Sequence, residues 1–69
     1  MKPDYRMTDH SEAMGRPSFG VAMRISGQVA DEVRDYTVDR LFAERVVRLL
    51  NCGEVSAVHF RDILTDLLE

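Results

Sequence analysis

A chain of 69 residues, 45% hydrophobic and 30% charged, is long enough for one domain and too apolar to stay disordered. Its single Cys excludes an internal disulfide, and one Cys with two His cannot supply the four ligands of a structural zinc site. The net charge of −3 falls on the body of the chain, since Lys2, Arg6 and Arg16 balance Asp4, Asp9 and Glu12, so a surface built for phosphates and hence for nucleic acid is not expected.

Residues 1–18 contain both prolines, Gly15 and scattered charge without a sustained period, which reads as an irregular or mobile N-terminal arm. The one regular feature it offers is a turn of helix at Ser11-Glu12-Ala13-Met14, ended by Gly15. Its opening, MKPDYRMTDHSE, lacks the apolar core of a signal peptide, and no later run approaches the ~18–20 apolar residues that span a bilayer. A cytoplasmic protein with no membrane partner is the expectation.

Residues 19–69 then form the single small domain. Phe19, Val21, Met23 and Ile25 alternate with Gly20, Ala22 and Arg24, the period of a half-buried strand, although a short helix remains the alternative for 19–25. Ser26-Gly27 marks a turn. From Gln28 the pattern turns helical without keeping one phase: Val29, Ala30, Val33 and Tyr36 fall on the side where Arg40 and Glu44 project. A break is therefore expected near Asp35-Tyr36-Thr37, with Thr37 or Asp35 capping the next helix.

That helix, about 38–51, is the most apolar element. Val38, Leu41, Phe42, Ala43, Val46, Val47, Leu49 and Leu50 cover roughly 240° of its circumference, which needs neighbours on two sides. Arg45 sits inside this arc, either snorkelling from its edge or pairing with a partner's acid, and Asp39 interrupts the opposite flank. Asp39, Phe42, Arg45, Val46 and Leu49 are thus the candidate partner or dimer interface. The last helix, 56–68, carries one narrow stripe of Ala57, Phe60, Ile63, Leu64, Leu67 and Leu68 and covers only part of its neighbour. The whole reads as a mainly α protein, a C-terminal helical hairpin preceded by the arm and a short strand or helix. It is expected to be a homodimer, or else to fold against a larger protein.

The segment LLNCGEVSAVHF joins the two helices. Cys52 and His59 are too few and oddly spaced for a metal site, so the segment reads as a turn. Gly53 would take the left-handed C′ position, Ser56 the N-cap, and Val55 with Phe60 a hydrophobic staple. His59, Asp62 and Asp66 share a helix face that reads as solvated charge. No nucleophile, Gly-rich phosphate loop or second carboxylate cluster completes an active site, so neither an enzyme nor a cofactor is expected.

The strand followed by helices is superficially similar to ribbon-helix-helix repressors. That resemblance implies a dimer inserting the 19–25 strand into the major groove with Gly20, Ala22 and Arg24 facing DNA, and Arg24 as the base reader. The leading expectation is different: a non-catalytic protein-interaction module, an inhibitor, adaptor or antitoxin-like factor binding a larger protein through an acidic, partly apolar helical surface. Small size and acidity also suit phage-type regulators that block host machinery, among them anti-CRISPR proteins.

Overall fold

The alternation at 19–25 does fold as a strand, and it becomes the centre of a sheet. In the computed structural model, which describes residues 2–68, strands β1 (Asp4–Asp9), β2 (Phe19–Ile25) and β3 (Gln28–Thr37) form an antiparallel sheet in the order β1-β2-β3. Helix α1 (Ser11–Met14) lies between β1 and β2 and ends at Gly15, whose φ of 67° is the left-handed C-cap expected of it. Helix α2 (Arg40–Cys52), a 3-10 turn (Ala57–His59) and helix α3 (Phe60–Leu68) follow. The molecule is a small mixed α/β domain with a C-terminal helical hairpin, rather than the mainly α protein expected from the sequence.

Two segments account for the difference. The presumed arm contributes β1, paired along its length with β2 from Asp4 opposite Arg24 to Asp9 opposite Phe19. Only Tyr5 and Met7 carry the apolar side of this edge strand, and the charged and polar residues around them mask a period of two. The stretch 28–37 is β3 instead of a helix. Val21 pairs with Val33 but Phe19 pairs with Thr37, and a second irregularity lies between Met23 and Arg24. These bulges insert residues into β3, so Val33 and Tyr36 both reach the core although three positions apart. Bulged strand and helix then give the same apolar spacing.

Gly20 sits where the larger bulge approaches. A Cβ there would collide with the backbone oxygen of Val33 and come within 2.9 Å of Thr8 Oγ1. Asp35, inside the bulge, has a φ of 51°. Its carboxylate accepts both guanidinium nitrogens of Arg16, at 3.1 and 2.7 Å, and the hydroxyl of the fully buried Ser18 at 2.7 Å.

The core lies between one sheet face and the helices: Tyr5, Val21, Met23 and Tyr36 meet Val46, Leu50, Phe60 and Leu64. Both tyrosines also send their hydroxyls into the helical layer, Tyr5 to the Val55 carbonyl and Tyr36 to that of Leu64 at 2.6 Å. Burial pushes both phenols above their usual pKa, which keeps them protonated donors. At 16 Å across its thinnest axis the molecule has only these two layers, and each keeps a solvent face.

The interhelical turn departs from expectation in one respect. Gly53 is right-handed, φ −81°, and the residue held left-handed is Glu54, φ 52°. The Gly53 N–H returns to Leu49 O at 2.8 Å, so the helix ends by a tight backbone bond without a glycine in the αL position. Ser56 has the extended N-cap backbone but makes no side-chain cap bond. Val55 and Phe60 both join the core, as the staple requires.

Candidate interaction surfaces

Each face of the two-layer molecule is a candidate site. On the open sheet face, His10 Nε2 lies 2.8 Å from Thr8 Oγ1 and 3.1 Å from Glu32 Oε2. Hydroxyl, imidazole and carboxylate are the parts of a nucleophile relay. A relay needs the hydroxyl on one ring nitrogen and the carboxylate on the other, so that the ring accepts one proton while donating another. Here both partners meet the same nitrogen. The cluster instead ties β1 to β3 across the central strand, over the small residues Gly20 and Ala22.

Arg24 donates to Gly27 O at 3.2 Å and so braces the β2–β3 turn. As the central strand, β2 is paired with β1 on one side and β3 on the other. It has no edge left for the intermolecular two-stranded ribbon that the ribbon-helix-helix reading requires.

The helical face has a different character. Asp39, one of the expected interface residues, is the N-cap of α2, accepting from the backbone of Leu41 at 3.0 Å and Phe42 at 3.2 Å. Phe42 stacks on Tyr36, with centroids 6.1 Å apart, and is half-buried against the core. Val46 is 1% exposed and entirely consumed by the core, so it cannot meet a partner. Of the five, Arg45 and Leu49 remain exposed on α2 with neither a capping nor a core contact among the described residues.

They are joined by residues the sequence reading left aside. The buried side of α2 is Ala43, Val46 and Leu50, and at ~100° per residue the opposite pole carries Leu41, Arg45 and Arg48, with Leu49 on its flank. Leu41 is 69% and Leu49 57% exposed, so the apolar surplus of this helix is left in water. Leu41, Glu44, Arg45 and Arg48 line a shallow open depression. Glu44 pairs with Arg40 at 3.3 Å, whereas Arg45 and Arg48 take part in none of the ion pairs among the described residues.

Helix α3 presents the opposite charge. Phe60 and Leu64 are buried, which turns Asp62 and Asp66 to solvent, again without an ion pair among the described residues. Val58, in the preceding 3-10 turn, is 80% exposed. Arg61, at the edge of this face, is committed elsewhere: its guanidinium grips Asp31 of β3 at 2.8 and 2.7 Å and holds that carboxyl below the usual range. The exposed surface of the helical layer is thus zoned, cationic and apolar over α2 and acidic over α3. Cys52 is exposed, and among the described residues no group of three or more His, Cys, Asp or Glu could hold a metal ion. Among the same residues no helix is long and apolar enough to cross a membrane. No known protein family, curated protein or solved structure matches this chain.

Proposed function

We propose that the protein is a non-catalytic protein-interaction module, an inhibitor, adaptor or antitoxin-like factor that docks through the outer face of its helical layer. One observation carries the reading. Leu41 and Leu49 stand mostly in water beside Arg45 and Arg48, two cations with no ion-pair partner among the described residues, while Arg16, Arg40 and Arg61 are each paired. An exposed apolar row flanked by unspent charge is the composition of a protein-binding patch. Leu41 and Leu49 supply the area removed from water, and the two arginines supply orientation and choice of partner.

The partner over α2 is then a surface that is apolar and acidic. Phage-type regulators of host machinery fit this scheme as a class. Duplex DNA does not, because it would bring phosphates up to Asp62 and Asp66.

Affinity capture from the source cell tests the reading, comparing the wild-type chain with Leu41→Asp/Leu49→Asp and with Arg34→Glu on the open sheet face. The expected outcome is a protein retained by the wild type and by Arg34→Glu and lost from the leucine variant. Equal retention by all three would sink the assignment of the surface, and tight, salt-sensitive binding to duplex DNA would sink the class.

A further inference from the structure

The two zones of the helical layer are complementary to each other. We infer that a second copy of this chain occupies the surface, each α2 lying on the α3 of its partner about a two-fold axis that runs between the two helices. The inference rests on the docking reading above and names one occupant for it.

Both helices cover the same face of one sheet, so their outer sides point the same way. A rotation of 180° about an axis in that outer plane, between α2 and α3, carries α2 over the partner's α3 and α3 over the partner's α2. The interface is closed and self-complementary, as a two-fold dimer requires. Arg45 and Arg48 then face Asp62 and Asp66 twice over, joining charges without ion pairs among the described residues. The hairpin is antiparallel, so Leu49 lies towards the partner's Val58, at 57% and 80% exposure, and Leu41 towards the partner's Leu68, at 69% and 55%.

The size is adequate for a weak dimer. A helix of 13 residues is about 20 Å long at the α-helical rise. Helix α3, with 9 residues, is about 14 Å long, and at a helix width of about 10 Å the two outer faces together present roughly 340 Å². That is below the roughly 600–1,000 Å² that stable interfaces remove from each partner, so the dimer is weak and depends on its charges. Association at high protein concentration follows, weakened by salt because the complementarity is partly ionic.

Charge reversal provides the test. Arg45→Glu/Arg48→Glu makes the whole layer acidic, and Asp62→Lys/Asp66→Lys makes it cationic. These side chains are exposed and form no ion pairs among the described residues, so both variants keep the fold, as circular dichroism will verify. By sedimentation equilibrium the wild type should dimerise, and each variant alone should associate at least tenfold more weakly. Mixed in equal amounts, the two variants should recover a heterodimer within several-fold of wild-type affinity, because every α2–α3 contact is again between opposite charges.

A wild type that stays monomeric at 200 μM overturns the inference, as do variants that dimerise like the wild type or a mixture that does not associate. The capture experiment fails separately. A monomer that still retains a target through Leu41 and Leu49 removes the dimer and keeps the docking reading; a dimer that retains nothing does the reverse.

Discussion

Asn51 shows what single residues do here that composition does not reveal. Its side-chain amide accepts from Tyr5 N at 2.9 Å and donates to Tyr5 O at 3.0 Å, standing in for the next strand at the open edge of β1. In the sequence it is one polar letter at the end of an apolar helix, and nothing local says that its partner lies 46 positions away. Asn51→Ala should cost about 1–2 kcal/mol in urea unfolding, the worth of two partly shielded hydrogen bonds. Asn51→Asp should cost at least as much, because a carboxylate cannot donate to the Tyr5 carbonyl. Gly20 is the second such residue. Gly20→Ala should destabilise by about 1–3 kcal/mol, since the obstructing atom is a backbone oxygen that cannot swing aside. Its neighbour Ala22 was legible as strand, but the requirement at Gly20 comes from a bulge in another strand and could not be read locally.

At the scale of elements, helix α2 was legible nearly to its ends because thirteen residues of strong 3.6 periodicity leave little alternative. Its cap was expected at Thr37 or Asp35, but Asp39, a residue type that favours the N-cap equally, holds the position. The turn after it was correctly read as a turn, with the strained position one residue too early. Glu54→Gly should therefore be neutral to stabilising by up to about 1 kcal/mol, the relief of a left-handed backbone set against an exposed ion pair with Lys2. Gly53→Ala should lower thermal stability modestly, since φ −81° suits any residue but the added Cβ meets the hydrogen-bonded backbone oxygen of Leu49 at 3.0 Å, which must give by a few tenths of an ångström. If Glu54→Gly proved the costlier of the two, the turn geometry would be wrong.

Two ion pairs fasten β3 to its surroundings. Arg16 and Ser18 hold the Asp35 carboxyl below its usual range, and Arg61 does the same for Asp31. A carboxylate whose pKa is lower folded than unfolded adds stability that is complete above the unfolded value of about 3.9, and this is lost as pH falls through the depressed one. Melting temperature should accordingly drop below about pH 4. Asp31→Asn/Asp35→Asn should flatten that acid limb while lowering the plateau at neutral pH. A variant whose melting temperature falls as steeply in acid as the wild type's would show that other carboxylates carry the effect.

For the whole molecule, the sequence conveyed the imbalance better than the architecture. The apolar surplus of α2 was visible, and the structure leaves Leu41 and Leu49 in water as that surplus implied. The two-layer sheet-and-helix arrangement was hidden because β1 is charged and β3 is bulged, so neither shows a clean strand period. Of the candidate interface, Arg45 and Leu49 stay exposed, Phe42 is half-buried, and Asp39 and Val46 are absorbed by capping and core, while Leu41 and Arg48 are exposed beside them. Helix phase could have recovered both once Ala43, Val46 and Leu50 were taken as the buried side. Charge zoned over α2 and α3 differs from the acidic, partly apolar helical surface expected from the sequence.

Pairing of two copies through the outer face of the helical layer is tested most directly by diluting the ¹⁵N-labelled protein from 500 to 10 μM and following its amide resonances. Concentration-dependent shifts should cluster at Leu41, Arg45, Arg48 and Leu49 on α2 and at Val58, Asp62 and Asp66 around α3. The open sheet face, reported by Arg6, Thr8, Ala22 and Arg34, should stay unmoved. Shifts gathered on the sheet face, or no shift anywhere, would contradict the account.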